Sequence, residues 1–162
     1  MIQAGVITVS DKGSAGQRED QSGPEVERIL KTIGIEVIRR VVIPDEIHQI
    51  RGILVDFADH QEIDLIVTTG GTGVAPRDVT PDATLGVIDK EVPGMAEAMR
   101  RESHSITPHA LISRAVVGIR GRTLIINLPG SPKGVRENLV VLLPALPHAI
   151  EKIKGDEREC AV

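Results

Sequence analysis

Two aspartates and a glycine-rich segment have the residue types and spacing of a phosphate site. Asp45 and Asp78 each stand in loop-like sequence downstream of an apolar run of strand length, and Thr69–Gly73 follows one such run directly. Three glycines let a backbone approach a ligand closely, and consecutive N–H groups in such a loop can bind an anion. A carboxylate that faces bound phosphates usually needs a cation between them, and Mg²⁺ is the usual choice. The pattern therefore favours a site for a metal-bound phosphate compound.

The glycine-rich segment is neither of the two best-known nucleotide motifs. It lacks the lysine of a P-loop, and its glycines do not have the spacing of a dinucleotide-binding fingerprint. A flexible turn between a strand and a helix uses the same residue types. Taken alone, the segment therefore leaves the choice between a binding loop and a turn open.

Several polar residues near this segment have structural alternatives. Thr80 is in position to cap the following helix, with Pro81 at its first position, and Asp82 would then serve only the helix dipole. Asp45 has the position of an N-cap for the helix that follows it. Asp78 precedes the expected cap and has no such structural role. We therefore favour Asp78 as a functional residue.

Two further loops carry small and charged residues after apolar runs. Residues 10–16 follow the first run, and residues 127–134 follow the last. Gly130 and Ser131 precede a helix, whose free N–H groups lie at the positive end of its dipole and can bind an anion. Lys133 would neutralise a phosphate; the alternative is a solvated lysine in a first helical turn, where it opposes the dipole.

Strand-like and helix-like segments alternate along the chain, which predicts a three-layer α/β/α sandwich. Gly121 separates the last two strands and indicates a hairpin, hence a mostly parallel sheet with one antiparallel edge strand. Ligands bind such sheets beyond the carboxyl ends of the strands. The loops after Val9, Ile43, Thr69 and Asn127 would all lie there. The predicted strands are Gly5–Val9, Ile35–Ile43, Asp64–Thr69, Val116–Arg120 and Thr123–Asn127; the predicted helices are Ser22–Ile33, Glu46–His60, Thr80–Lys90, Gly94–Glu102 and about Pro132 to Lys154, with candidate interruptions at Pro144 and Pro147.

Composition narrows the possible classes of protein and partner. The 162 residues, of which 41% are hydrophobic and 26% charged, indicate one globular domain spanning residues 1–162. A net charge of −4 argues against nucleic-acid binding, which needs a basic surface. Phe57 is the only aromatic residue, so any base must be bound by backbone and aliphatic groups rather than by ring stacking.

Localisation is predicted from features that the sequence lacks. The single cysteine, Cys160, excludes an internal disulfide and is interpreted as a frayed terminal thiol. The chain opens directly into strand-like sequence, and no apolar run approaches the roughly 20 residues of a membrane span. We expect a cytoplasmic location and no membrane partner.

Taken together, the ordered motifs resemble the molybdopterin-binding family, which includes bacterial molybdopterin adenylyltransferases and the G domains of gephyrin and its plant counterpart. Thr68–Gly73 and Pro76–Thr84 look like the signature of that family. The similarity runs from Val6 to about Gly155, which is essentially the whole chain. Other segments that match in order are Val9–Asp11, Ser22–Pro24, Ile43–Glu46, Val92–Met95, Leu111–Arg114 and Asn127–Gly130.

The resemblance implies a reaction, a metal and a set of site residues. The reaction would transfer AMP from Mg·ATP to the terminal phosphate of molybdopterin, with pyrophosphate as the leaving group. Asp45 and Asp78 would be the catalytic pair that holds Mg²⁺. The resemblance also implies a homotrimer, with possible transfer of the product to a molybdate-inserting enzyme. Residues implied to bind ATP or molybdopterin are Ser10, Asp11, Thr69, Gly70, Gly71, Thr72, Gly73, Thr80, Pro81, Ser113, Pro129, Gly130, Ser131 and Lys133.

Three alternatives to an active adenylyltransferase stay open. MoaB-like relatives keep the fold and the glycine loop, but some are of doubtful catalytic competence. A scaffold module and a generic nucleotide-binding α/β domain are the other two. The presence of Asp45 and Asp78 favours an enzyme. The sequence does not distinguish a molybdenum pathway from a tungsten pathway.

Overall fold

The computed structural model describes residues 1–158, so Cys160 lies outside the described residues. Six strands form one sheet in the order β2-β1-β3-β6-β5-β4. Neighbours among the first four strands in this order are parallel, whereas β5 runs antiparallel to both β6 and β4. The strands are β1 (Gln3–Val9), β2 (Glu36–Ile43), β3 (Leu65–Thr69), β4 (Lys90–Glu91), β5 (Val117–Arg120) and β6 (Thr123–Leu128).

Helices cover both faces of the sheet, which confirms the predicted three-layer α/β/α architecture. One buried cluster joins the sheet to α2, α5, α6 and α7, and a second cluster joins the opposite face to α3 and α4. No helix within residues 1–158 is long and apolar enough to span a membrane. The helices are α1 (Asp11–Ser14), α2 (Ser22–Lys31), α3 (Ile47–Val55), α4 (Thr80–Leu85), α5 (Pro93–His104), α6 (Pro132–Leu142) and α7 (Leu146–Ile153), with a π-helical turn at Asp56–His60 and a 3₁₀ helix at Pro108–Ile112.

The side-chain pattern of each strand explains its place in the sheet. In β1, Ala4 and Val6 pack into the first cluster, while Ile7 and Val9 pack into the second, because successive side chains of a strand point to opposite faces. Every residue of β3 and β6 is buried, as expected of central strands covered on both faces. The edge strand β2 is largely exposed.

One predicted helix end was wrong, for a local reason. The helix predicted to reach Lys90 ends at Leu85, because residues 90–91 pair with β5 and form the outermost strand. The last predicted helix is interrupted at Pro144, one of the two predicted candidates, and divides into α6 and α7, since that proline has no N–H to continue the helix. The helix predicted over residues 46–60 begins at Ile47 and reaches His60, with residues 56–60 in π-helical geometry.

The strand order fixes where the loops lie. The chain passes from β1 to β2 on one side and then from β2 across β1 to β3 on the other side, so the direction of the connections reverses at β1. In open α/β sheets, ligands bind at the carboxyl ends of the strands beside such a point. The loops after β1, β2, β3 and β6 all leave from this edge of the sheet.

Candidate functional site

The loops that follow the four parallel strands surround one cavity of about 680 Å³, which we call the main cavity. Ser10 follows β1, Asp45 follows β2, and Gly70 and Gly71 follow β3 in its wall. Asp78, from the segment before α4, lines the same cavity. The structure thus brings together the two aspartates and the glycine-rich segment that the sequence singled out. Other predicted residues in this wall are Thr69, Gly130 and Ser131.

In the glycine loop, the carbonyl groups of Gly70 and Gly71 are hydrogen-bonded within the protein, while three of the amides are free. Gly70 and Gly71 have φ angles of 98° and 67°. The hydroxyl of Thr80 donates to the Gly70 carbonyl at 3.0 Å, and the Thr80 amide donates to the Gly71 carbonyl at 3.1 Å. Within residues 1–158, the amides of Gly71, Thr72 and Gly73 have no hydrogen-bond acceptor. Three consecutive free N–H groups are an arrangement that can bind an anion, as expected from the glycines.

Close packing beneath the loop explains why a glycine stands at position 71. A Cβ atom there would lie 2.5 Å from the Thr80 hydroxyl and 3.0 Å from Oδ1 of Asp45. A side chain would therefore collide with both neighbours and would also strain the positive φ. The absence of a side chain at Gly71 lets the loop lie directly against Asp45.

Asp45 is held in the site by a reciprocal pair of hydrogen bonds with Asp11. The Asp11 amide donates to Oδ2 of Asp45 at 2.9 Å, and the Asp45 amide donates to Oδ1 of Asp11 at 3.0 Å. The capping interpretation of Asp45 was wrong, because α3 begins at Ile47 and its N-cap residue is Glu46. The Asp45 carboxylate is therefore fixed by the β1 loop and is not used by the helix.

The pKa of the Asp45 carboxyl is raised above its ordinary value. Burial is the largest cause, and the nearby charges of Asp11 and Asp78 raise it further, while the hydrogen bond from the Asp11 amide lowers it. A raised carboxyl pKa means that the site disfavours the ionised form. A bound cation would offset the burial and the repulsion between carboxylates.

The Asp78 carboxylate does not cap α4, and among the described residues it has one hydrogen bond to the protein. Its Oδ2 accepts a hydrogen bond from the Ala75 amide at 2.9 Å, while no protein donor within residues 1–158 bonds to Oδ1. Oxygen atoms of two carboxylates, Asp45 and Asp78, suit Mg²⁺, which is usually held by one or two carboxylates together with substrate phosphates. No cluster of three or more metal-ligating side chains occurs in the described part of the chain. A metal here would therefore need oxygen atoms from its substrate or from water.

A second cavity of about 370 Å³, which we call the side cavity, adjoins the first. Ser131 lines both cavities, and it also caps α6 by accepting a hydrogen bond from the Gly134 amide at 3.0 Å. Lys133 lies here and not in the main cavity; its side chain is 73% exposed, with Nζ 3.6 Å from Oε1 of Glu137. Other residues of the side cavity include Thr72, Gly73, Arg100, His109, Ser113, Pro129 and Asn138.

Comparison with known proteins places this arrangement in a family. The family profile described as "Probable molybdopterin binding domain" matches residues 5–148. The chain belongs to this family. The resemblance inferred from the sequence motifs is therefore confirmed.

Three relatives illustrate the extent of the similarity. The molybdopterin adenylyltransferase of Helicobacter pylori (strain J99) is 41% identical over 157 residues, which cover 96% of this chain and 89% of that protein. Gephyrin of Dictyostelium discoideum is 47% identical over 162 residues, but the match covers 93% of this chain and 22% of gephyrin, so the chain spans about a fifth of that relative. The structure of MoaB, a molybdopterin biosynthesis enzyme of Thermus thermophilus, superposes with a TM-score of 0.91 and 49% identity, covering 96% of this chain and 98% of that one.

Three residues that were predicted to bind a ligand do not line either cavity, namely Asp11, Thr80 and Pro81. Thr80 and Pro81 are buried in the first turn of α4, and neither lines either cavity. The prediction that Thr80 caps this helix was wrong, since its hydroxyl holds the Gly70 carbonyl. Asp11 supports Asp45 and accepts hydrogen bonds from Arg77 at 2.6 and 3.0 Å. These residues shape the site of this molybdopterin-binding domain without lining its cavities.

Sequence reasoning missed two acidic residues that line the main cavity, Glu19 and Asp20. Asp20 lines that cavity and accepts hydrogen bonds from the Thr8 hydroxyl at 2.9 Å and the Gly23 amide at 3.0 Å. Its spacing of three residues from Gly23, at the start of α2, is a capping signal that the sequence already carries. Since Asp20 accepts these protein donors, it is less available to a metal than Asp45 and Asp78.

Proposed function

We propose that this chain is a molybdopterin adenylyltransferase that transfers AMP from Mg·ATP to the terminal phosphate of molybdopterin. In this reaction an oxygen of the molybdopterin phosphate attacks the α-phosphorus of ATP, and the bond from that phosphorus to the departing pyrophosphate breaks. The observation that carries the proposal is the loop with the free amides of Gly71, Thr72 and Gly73, in which Gly71 lies beside the Asp45 carboxylate and Gly73 beside that of Asp78. Relatives of similar length, such as the H. pylori protein, bear the name of this activity.

The two carboxylates would hold Mg²⁺ against the triphosphate. When bound, the metal supplies positive charge that stabilises the negative charge of the phosphates in the transition state. Asp45 is fixed for this purpose by the Asp11 amide, and Asp78 by the Ala75 amide. Each carboxylate therefore keeps one oxygen that can face the cavity in a defined orientation.

The free amides of the glycine loop would bind ATP phosphate oxygens. Reactions at phosphorus need little covalent chemistry from the protein, because positioning and charge neutralisation account for most of the catalysis. Free N–H groups that already point at the ligand need no reorganisation during the reaction. The bonds from Thr80 to the Gly70 and Gly71 carbonyls hold the loop in this conformation.

Molybdopterin would occupy the side cavity, with its phosphate towards Ser131. Ser131 and the glycine loop form the boundary between the two cavities, so an acceptor phosphate there would lie next to the triphosphate. Ser113 and Lys133 line the side cavity and would contact the pterin or its phosphate.

Adenine would be bound without ring stacking. Phe57, the only aromatic residue, is 1% exposed and packs in the core beneath α3, so it is not accessible to a base. The backbone near Gly70–Gly73 and Leu128–Gly130 would read the base instead. Hydrogen bonds of this kind contribute roughly 0.5–1.5 kcal/mol each.

A homotrimer is the assembly that we propose for this chain. Large exposed apolar side chains concentrate in and beside the 3₁₀ helix, where Ile106, Leu111 and Ile112 are 55%, 69% and 52% exposed. Clustered exposed apolar side chains are typical of interaction sites, which favours an assembly through this region. Light scattering after size-exclusion chromatography would measure the mass in solution.

The product would pass to a molybdate-inserting enzyme, and the use of ATP fits a reaction in the cytoplasm.

The experiment that tests the proposed activity is pyrophosphate release from ATP with and without added molybdopterin. We expect release that requires both molybdopterin and Mg²⁺, together with formation of adenylyl-molybdopterin. A MoaB-like binding protein would bind ATP without releasing pyrophosphate. A nucleotide hydrolase would release it without molybdopterin, and either of these results would contradict the proposal.

A further inference from the structure

Arg114 joins both ends of the loop that carries Asp78. Its Nε donates to the carbonyl of Gly73 at 2.8 Å, and its Nη2 donates to the carbonyl of Asp78 at 2.6 Å. Its backbone amide also donates to the carbonyl of Thr72 at 2.8 Å. One side chain, distant in sequence, therefore connects the end of the glycine loop to the aspartate that we assign to the metal.

The guanidinium is itself anchored by the helix that follows the loop. Nη1 and Nη2 of Arg114 donate to the two carboxylate oxygens of Asp82 at 3.1 and 3.0 Å. The guanidinium of Arg114 lowers the pKa of the Asp82 carboxyl, so the pair stays ionised near neutral pH. From its position, Asp82 was expected to serve only the helix dipole, whereas in the structure its carboxylate also accepts hydrogen bonds from Arg114.

Neither member of this pair lines a cavity. Arg114 and Asp82 are absent from the walls of both the main cavity and the side cavity. Their side chains are 39% and 46% exposed, and pairs this exposed contribute little to global stability. A geometric role in the adjacent loop explains the four side-chain bonds better than a stabilising role does.

We propose that Arg114 is a positioning residue that, anchored by Asp82, holds the 73–78 loop so that the Asp78 carboxylate faces the main cavity. This role rests on the proposed function of Asp78. A planar fork of donors is required, because two backbone carbonyls and a carboxylate must be bound together. A lysine ammonium is a single point charge and cannot reproduce that fork.

The test uses Arg114→Lys, which keeps the charge and removes the fork. Binding of Mn²⁺·ATP, followed by the electron paramagnetic resonance signal of free Mn²⁺, should weaken by about 10- to 100-fold, the usual cost of losing a residue that orients a metal ligand. Hydrogen exchange at the amides of Ala75 and Asp78, both hydrogen-bonded within the loop, should accelerate. These two measurements do not depend on whether the protein transfers AMP.

Arg120→Lys is the matched control. Arg120 forms a similar fork with Asp59, at 2.9 and 2.6 Å, and also donates to a backbone carbonyl, that of Val87 at 2.7 Å. Neither cavity is lined by any of these residues. Arg120→Lys should leave Mn²⁺·ATP binding unchanged. An equal loss of binding in both variants would indicate a general effect of removing an arginine fork and would overturn the proposal.

Asp82→Asn provides a second, independent variant. It should weaken Mn²⁺·ATP binding in the wild-type background but add nothing to Arg114→Lys, because Asp82 acts only through Arg114. Wild-type binding and wild-type exchange in Arg114→Lys would refute the positioning role. If these binding effects occur but no variant, nor the wild type, forms adenylyl-molybdopterin, the proposed function fails while the role of Arg114 stands.

Discussion

The two adjoining cavities differ in the sign of their charged residues. The main cavity is lined by four acids and one arginine, namely Glu19, Asp20, Asp45, Asp78 and Arg18. The side cavity has one acid and two permanent cations, namely Glu137, Arg100 and Lys133. Carboxylates repel a triphosphate, so the main cavity needs a metal to bind ATP, whereas the side cavity can attract a phosphate directly. We therefore expect ATP binding in the main cavity to depend on the metal and molybdopterin binding in the side cavity to depend on salt concentration.

Removing the metal should have the largest effect, and it should separate the binding of the two substrates. With a chelator present, calorimetric ATP binding should be lost, because the raised pKa of Asp45 already reports unfavourable carboxylate charge in the main cavity. Molybdopterin binding, measured anaerobically in the same buffers, should persist. ATP binding that survives chelation would mean that the amides of the glycine loop suffice alone. Loss of both ligands would show that the cavities are not independent.

Asp78→Asn should come next in size. The amide oxygen of asparagine can still accept from the Ala75 amide, so the loop should keep its shape while the negative charge is removed. We expect turnover to fall by about 10²-fold or more, the scale of losing a preorganised charge contact. Asp59→Asn, in an ion pair outside both cavities, is the control and should be close to wild type. Near wild-type turnover of Asp78→Asn would remove Asp78 from the mechanism.

Alanine substitutions at Gly71 and Gly34 can separate the effect of backbone strain from the effect of contact with Asp45. Gly71 and Gly34 have similar φ angles, 67° and 76°, but a Cβ at Gly34 would meet nothing within 4 Å. Alanine at either position should cost about 1 kcal/mol or more in the free energy of unfolding, measured in urea. Only Gly71→Ala should also weaken Mg·ATP binding, because its Cβ would press on Asp45 and Thr80. Equal ATP affinity in both variants would show that the close packing at Gly71 does not matter for binding.

The sequence was sufficient to predict the meeting of the loops but not the contacts between them. Apolar runs identify the parallel strands, and the carboxyl ends of parallel strands share one edge, so Asp45 and the glycine segment were correctly placed together. Capping rules, by contrast, assign Thr80 and Asp45 a partner in the next helix turn. In the fold, Thr80 reaches back 10 residues to Gly70, and Asp45 pairs with Asp11 across 34 residues. Local rules cannot anticipate partners that only the folded topology supplies.

The long-range partners of Arg114 and Asp20 could likewise not be predicted from the sequence. Arg114 belongs to a motif that was recognised, but its bond to the Asp78 carbonyl spans 36 residues. Asp20 faces the main cavity because β1 and the start of α2 lie side by side, which its bond to Thr8 reflects. A single sequence gives no measure of these distances. The acidic character of the main cavity was therefore only partly predictable.

Lys133→Ala tests the positive charge of the side cavity, and its effect should be the smallest of those predicted. Lys133 is largely exposed and is 3.6 Å from Glu137, so water and that carboxylate already screen much of its charge. Molybdopterin binding should weaken by about twofold to fivefold, the scale of an exposed ion pair, and its dependence on salt should become shallower. Mg·ATP binding in the main cavity should not change.

Glu137→Gln provides the reciprocal variant for the side cavity. Removing the carboxylate frees Lys133 from its i,i+4 partner and makes the side cavity more positive, so molybdopterin affinity should rise and its salt dependence should steepen. Opposite shifts in the two variants would identify Lys133 as a phosphate ligand that competes with Glu137. If both variants bind molybdopterin as the wild type does at every salt concentration, Lys133 is a solvated surface residue. The phosphate must then be held by the remaining groups of the side cavity, namely Arg100, Ser131 and the amino end of α6 with its helix dipole.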